Sequence, residues 1–70
     1  QGSGLGTALV EAAEQHLRSQ GQRILLVDTS STDDFALTRK FYARNGYEEE
    51  ARVRDFWSTG DHKVIFRKSL

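Results

Sequence analysis

The chain begins QGSGLGT, with Gly2, Gly4 and Gly6 at alternate positions running straight into a helix-forming stretch. A loop with so little side-chain bulk can turn several main-chain N–H groups toward one ligand. The helix behind it adds a partial positive charge at its start. The chemistry this suits is anion capture, best matched to a phosphate or pyrophosphate. On the loop alone two architectures fit. Gly2-x-Gly4-x-x-Thr7 lies close to the dinucleotide-binding fingerprint, with Asp28 ending the next strand roughly 20 residues on. Thr7 is a poor replacement for that fingerprint's third glycine, and the first strand of that fold is missing.

Other residues with chemical potential are sparse. His16 and His62 are far apart and lack nearby ligand patterns, and there is no cysteine, so no disulfide, thiolate metal site or zinc site is expected. His16 falls on an apolar helical stripe and reads as a core histidine; His62 falls in a turn and reads as solvated. Glu48, Glu49 and Glu50 read as an exposed strand edge rather than a general base. Ten basic and ten acidic residues cancel, which argues against a dedicated nucleic-acid binder. No apolar run approaches the ~18 residues of a membrane span. The lack of cysteine fits a cytoplasmic protein. A chain of 70 residues is one small domain at most, burying roughly 60% of its unfolded surface, so tight packing or a partner chain must stabilise it.

The elements that must position these groups can be read from periodicity. Leu5, Ala8, Leu9, Ala12, Ala13, His16 and Leu17 form one stripe of a helix over 4–19, with Glu11, Glu14, Gln15 and Arg18 mostly on the other face. Gly21 suits the left-handed residue after its last turn. The unbroken run RILLV predicts a strand over 23–29 covered on both faces. TSSTDD supplies a helix N-terminus, with side chains able to cap it and acids suited to its positive end. Phe35, Leu37, Thr38, Phe41 and Tyr42 outline a second helical stripe, stopped by Asn45-Gly46. Tyr47, Ala51, Val53 and Trp57 share one alternation phase, and KVIFRK closes the chain as a strand with Val64 and Phe66 on one side. These last two strands form an antiparallel hairpin, giving an α/β chain of order α-β-α-β-β.

Two segments then gain meaning together. QGSGLG resembles the Gln/Arg-x-x-Gly-x-Gly signature of the GNAT family of N-acetyltransferases, and FYARNGY resembles that family's later Phe/Leu-Tyr-x-x-x-Gly-Phe/Tyr motif. The interval, one helix and one apolar strand, also agrees. The resemblance spans essentially all of residues 1–70 but only the C-terminal half of the family fold; the N-terminal strands and helices of that fold are missing. It implies an acyl-CoA N-acyltransferase domain fragment. Gln1, Gly2, Ser3, Gly4, Leu5, Gly6 and Thr7 would hold the pyrophosphate of acetyl-CoA, Leu25 to Thr29 would line its pantetheine arm, and Tyr42 would act as the acid toward the departing sulfur. A free phenol titrates at about 10 and a thiol near 8.5, so full proton transfer is uphill by roughly 2 kcal/mol. Donation of a strong hydrogen bond as charge builds is the better reading.

The resemblance is incomplete. The family often has asparagine seven residues before this tyrosine, where Phe35 stands, and alanine where Thr38 stands. Arg39 and Arg44 could approach a coenzyme phosphate but read first as solvated helix residues. Phe56 and Trp57 could line an acceptor pocket, though a core or dimer contact is the plainer role.

The leading expectation is transfer of acetyl from acetyl-CoA to an unidentified primary amine by direct attack. The alternatives are a non-catalytic fragment or assembly module, binding CoA weakly or pairing through an exposed strand edge by self-association or with a complementary fragment, and, last, a dinucleotide-binding module.

Overall fold

A helix, α1, spans Leu5–Ser19, with Gly4 as its N-cap. The computed structural model describes residues 4–70; Gln1, Gly2 and Ser3 lie outside the described residues. Gly21, at φ +80°, ends the helix in the left-handed conformation foreseen for it; the Gly21 and Gln22 N–H groups close onto the Arg18 and Leu17 carbonyls. Strand β1 follows over Ile24–Ser30. A single 3₁₀ turn, Asp33–Phe35, then leads into α2, Ala36–Arg44. Thr32 makes no side-chain cap to that turn; the Thr32 N–H instead donates to Ser30 Oγ, and Phe35 N–H to the Thr32 carbonyl. Asn45 caps α2, Gly46 takes φ +90°, and Tyr47 N–H reaches back to the Tyr42 carbonyl.

Strands β2 (Glu48–Ser58) and β3 (Asp61–Ser69) form the expected antiparallel hairpin. Strand β3 also pairs antiparallel with β1, so the three-stranded sheet has the order β1-β3-β2. Val64 and Phe66, on one side of β3 as expected, form the core with Tyr47, and Val10, Leu25, Val27 and Tyr42 pack against it. Residues from both helices thus cover the same face of the sheet.

Four expectations fail on orientation. First, the predicted stripe of α1 is not its buried face. Leu5 and Leu9 are 66% and 64% exposed, and Ala8, Ala12, Ala13 and His16 are exposed too. The inward line is Gly6, Val10, Glu14 and Leu17, with Glu14 only 2% exposed. Second, β1 is covered on one face only; Ile24 and Leu26 are exposed because the described helices lie on the opposite side. Third, the single alternation phase of β2 is broken. A register shift between Glu49 and Ala51 pairs Glu49 with Phe66 but Ala51 with Ile65. One extra residue in a strand moves all later side chains to the other face. Fourth, of the stripe expected for the second helix, Phe35 in the turn before α2 and Leu37 within it are exposed, leaving Thr38, Phe41 and Tyr42 turned inward.

Glu14 explains the rotation of α1. Its carboxylate accepts a 2.6 Å hydrogen bond from the Tyr47 hydroxyl and 3.1 Å hydrogen bonds from Lys68 Nζ to both oxygens. Lys68 Nζ also donates to the Asn45 carbonyl at 2.8 Å. Burial alone raises the Glu14 pKa, but the Tyr47 hydroxyl and the Lys68 ammonium outweigh it and hold the carboxyl below its usual 4.5. Burial, and then the adjacent carboxylate, push Tyr47 well above the ordinary phenol value. A second contact fixes the other end of α1: a Cβ built on Gly6 falls 3.2 Å from Phe41 Cε1, so only glycine lets α2 approach this closely without adjustment.

Three outcomes are expected. Lys68→Met leaves the buried Glu14 carboxylate with only the more distant Arg18 guanidinium, 3.9 Å away, as a cation, and should cost about 3 kcal/mol in urea unfolding. Because the Glu14 pKa is depressed on folding, its contribution is complete above 4.5 and is lost as pH falls from there through the folded-state value; the Tyr47 contribution is complete below about 10 and is lost as pH rises beyond it. Acid unfolding followed by circular dichroism should begin below pH 4.5, and the acid limb should flatten in Glu14→Gln. At the other contact, Gly6→Val should destabilise by about 1–3 kcal/mol through overpacking, and a double-mutant cycle with Phe41→Ala should recover most of that loss.

Candidate functional site

The start of α1 is open. The first intrahelical bond runs from Ala8 N–H to the Gly4 carbonyl at 2.8 Å, so the Leu5, Gly6 and Thr7 N–H groups have no acceptor within the helix. Among the described residues no side chain caps them, and no acidic residue lies in the first turn. A Cβ on Gly4 would meet nothing within 4 Å among the described residues. His16 and Arg18 lie in the last turn, where cations suit the negative helix end. The two described glycines of the opening therefore differ: Gly4 borders open space, while Gly6 is used against Phe41. Of the residues expected to hold an anion, Gly4, Leu5, Gly6 and Thr7 form this helix start, and Gln1, Gly2 and Ser3 are outside the described residues.

Phe41 rather than Tyr42 meets the helix start. The Tyr42 ring turns toward the sheet, edge-on to Tyr47 with centroids 5.3 Å apart and stacked on Phe66 at 6.0 Å. Phe41 meets its edge at 5.3 Å. The half-buried ring is held on three sides, and among the described residues its hydroxyl makes no hydrogen bond.

Strand β1 lies at one side of the sheet, and among the described residues nothing pairs with its outer edge. Leu70 N–H to the Arg23 carbonyl and Ser31 N–H to the His62 carbonyl bracket its ladder with β3. Antiparallel alternation then directs the main-chain groups of Leu25, Val27 and Thr29 to β3, and those of Leu26 and Asp28 away from it. The Asp28 carboxylate is paired with Lys63 at 3.3 Å.

The end of β1 holds a polar cluster that the sequence did not disclose. Ser30 Oγ donates to Asp61 Oδ1 at 2.5 Å and lies 2.9 Å from Thr32 Oγ1. Arg39 Nη1 donates to the Ser30 and Thr32 carbonyls, each at 2.7 Å. Arg39 is thus not simply a solvated residue; it ties α2 to the end of β1. No sequence periodicity marks this role, because its acceptors are main-chain carbonyls. His62 is not simply solvated: its Nδ1 accepts from Asp55 N–H at 2.9 Å, and Asp55 takes φ +56° there. His16 is exposed, so it is not a core histidine. Phe56 and Trp57 are each half exposed rather than core residues. Lys63 sits 4.3 Å from the Phe56 ring, and the Trp57 indole N–H donates to the Thr29 carbonyl at 3.1 Å. Glu48, Glu49 and Glu50 are exposed on the edge strand, as expected. The Arg52 hydrogen bond holds the Glu49 carboxyl below its usual value, outweighing the opposing effect of burial, which suits an ion pair better than a base. Among the described residues no cluster of groups could hold a metal ion.

Similarity to known proteins agrees with this geometry. Residues 1–49 match the family model for the acetyltransferase (GNAT) domain. A solved structure from Desulfovibrio desulfuricans, assigned to the acetyltransferases of the GNAT family, superposes with a TM-score of 0.96 at 40% sequence identity. The alignment covers 99% of this chain and 43% of that one. No curated protein matches the chain significantly. The match through both the glycine opening and the FYARNGY segment, with a near-coincident fold, places the chain in the GNAT acetyltransferase family.

Proposed function

We propose that this chain carries the coenzyme-binding part of an N-acetyltransferase that moves acetyl from acetyl-CoA to a primary amine by direct attack. The observation that carries the reading is the opening of α1: three first-turn N–H groups without an intrahelical acceptor, a glycine N-cap that offers no side chain, no acidic residue in the first turn, and, among the described residues, no neighbour within 4 Å of a Cβ on Gly4. An uncapped helix start of this kind favours a phosphate or pyrophosphate. Gln1 to Thr7 would hold the pyrophosphate of the coenzyme, which supplies the acetyl group as a thioester. The outer edge of β1, with the Leu26 and Asp28 main-chain groups directed outward, would accept the amides of the pantetheine arm.

Tyr42 is the proposed acid. When an amine attacks a thioester, negative charge gathers on the sulfur as the C–S bond breaks, and a fixed hydroxyl donor lowers that barrier. Packing against Phe41, Tyr47 and Phe66 fixes the ring, which limits the orientational freedom of its hydroxyl. The amine's proton must pass to a base, and Glu49, paired with Arg52, is not assigned that role.

The readings separate in one titration. Coenzyme A should shift the amide resonances of Gly4, Gly6 and Thr7, whereas NAD should leave them unmoved; the reverse result sinks the proposal in favour of a dinucleotide site. Gly4→Ala, which meets no neighbour, should cost less than about 1 kcal/mol of stability yet weaken coenzyme A binding. In acetyl transfer to a primary amine, Tyr42→Phe should lower turnover by about 100-fold with coenzyme affinity unchanged. Normal turnover with lost affinity removes Tyr42 from the acid role.

A further inference from the structure

The tip of the β2–β3 hairpin is not a simple turn. Val53 pairs with Lys63 and Ser58 with Asp61, so Arg54, Asp55, Phe56 and Trp57 of β2 stand opposite His62 alone. A bulge of this size takes its own main chain out of the ladder. Asp55 takes φ +56° within it, a left-handed conformation that a residue with a Cβ keeps only where its surroundings hold it. Two contacts do so. His62 Nδ1 accepts from the Asp55 N–H at 2.9 Å, and Asp55 Oδ1 accepts from the Gly60 N–H at 2.8 Å. At the far end of the bulge the Trp57 indole N–H reaches across β3 and donates to the Thr29 carbonyl of β1 at 3.1 Å.

We infer that His62 is a pH-sensitive latch on this bulge: neutral, it holds Asp55 and so keeps Phe56 and Trp57 seated against the end of β1; protonated, it lets them go. A main-chain N–H can only donate, so Nδ1 carries no proton in the observed arrangement. Protonation sets a donor against a donor. The acceptor then within reach is the Asp55 carboxylate, whose Oδ1 lies 3.7 Å from Nδ1. Turning that oxygen onto the imidazolium draws it off Gly60, which holds φ +83° in the hairpin turn. Both restraints on Asp55 are thereby lost together. Histidine is the side chain whose charge ordinarily changes between about pH 5 and 8.

The surroundings suit a latch. The main chain of His62 is fixed, because its N–H donates to Ser31 Oγ at 2.9 Å and its carbonyl accepts from the Ser31 N–H at 3.0 Å. The ring is 32% exposed, so protons reach it from solvent. The other charges around it are committed elsewhere. On β3, the Asp61 carboxylate takes the Ser30 hydroxyl, and Lys63 pairs with Asp28 and lies over the Phe56 ring. From α2, Arg39 is bonded to the Ser30 and Thr32 carbonyls. On β2, the exposed Arg54 adjoins Asp55. Phe56 and Trp57 pack edge to face at 4.7 Å, so they move as a pair. This inference does not depend on the proposed acetyl-transfer chemistry.

Trp57 is the single tryptophan of the chain, so its fluorescence reports the bulge alone. Its emission should move to longer wavelength as pH falls from about 8 to 5. Far-UV circular dichroism should stay unchanged over that range, ahead of the acid unfolding expected below 4.5. His62→Gln, whose side-chain carbonyl can accept from Asp55 at any pH, should abolish the shift. His16→Gln, which removes the other histidine, exposed on α1, should keep it. If His62→Gln fails to fold, the wild-type chain still decides: the His62 ring nitrogens, the Asp55 amide and the Trp57 indole resonances should move with one shared midpoint. A flat Trp57 emission over that range, a shift that survives His62→Gln or vanishes in His16→Gln, a shift accompanied by loss of circular dichroism, or an Asp55 amide that does not follow His62 would each overturn the inference.

Discussion

The arrangement of this small domain turns on the carboxylate of Glu14. A charge removed from water is tolerated only when donors replace its hydration. Glu14 finds them in the Tyr47 hydroxyl and the Lys68 ammonium, whose residues lie 33 and 54 positions further along the chain. The cluster joins the middle of α1, the turn after α2 and the last strand. Lys68 also bonds the Asn45 carbonyl and passes beside Gly46, where a Cβ would stand 3.5 Å from its Cε. The segment NGY after α2 therefore does two things. Gly46 permits the left-handed turn that stops the helix, and Asn45 and Tyr47 provide the carbonyl and ring against which the lysine settles.

With Glu14 facing inward, the rest of α1 has little rotational freedom. Val10 comes onto the core and Gly6 onto Phe41, while Leu5 and Leu9 are carried out to solvent. A purely apolar choice of face would have buried the leucines, at roughly 25 cal/mol per Å² of apolar area. The observed choice is the one that leaves no buried charge without partners; among the described residues no buried side-chain nitrogen or oxygen lacks a hydrogen bond.

This competition marks the boundary of what the residues alone disclosed. Element type and order were legible because periodicity, strand length and glycine stops are local signals, and both left-handed stops, Gly21 and Gly46, sit where they were expected. The face of α1 was not, since periodicity reports an apolar stripe but not what the stripe meets, and Glu14 became an inward residue only through distant partners. The phase of β2 was hidden by its irregularity at Glu50. Arg39 escaped notice because its acceptors are carbonyls of Ser30 and Thr32, which every residue possesses. At the candidate site, the glycine opening was legible as a motif, but the division of labour within it was not: Gly6 packs and Gly4 stays clear.

That division links stability to the proposed chemistry. A loop that grips a pyrophosphate must stand in a fixed relation to the group that meets the sulfur, because small displacements of reacting groups cost large factors in rate. Here the two helices are set by a shared core. Gly6 brings the start of α1 against Phe41; Phe41 touches the Tyr42 ring; Tyr42 leans on Tyr47, whose hydroxyl holds Glu14 of α1. The contacts close a ring that leaves α1 near its first turn and re-enters it further along. A closed circuit of packed groups resists sliding of one helix past the other, since every contact would have to yield together. The Glu14–Lys68 ion pair and the close helix approach, which look like matters of folding alone, are thereby the parts of the molecule best placed to hold the proposed phosphate grip and the proposed aromatic acid in register.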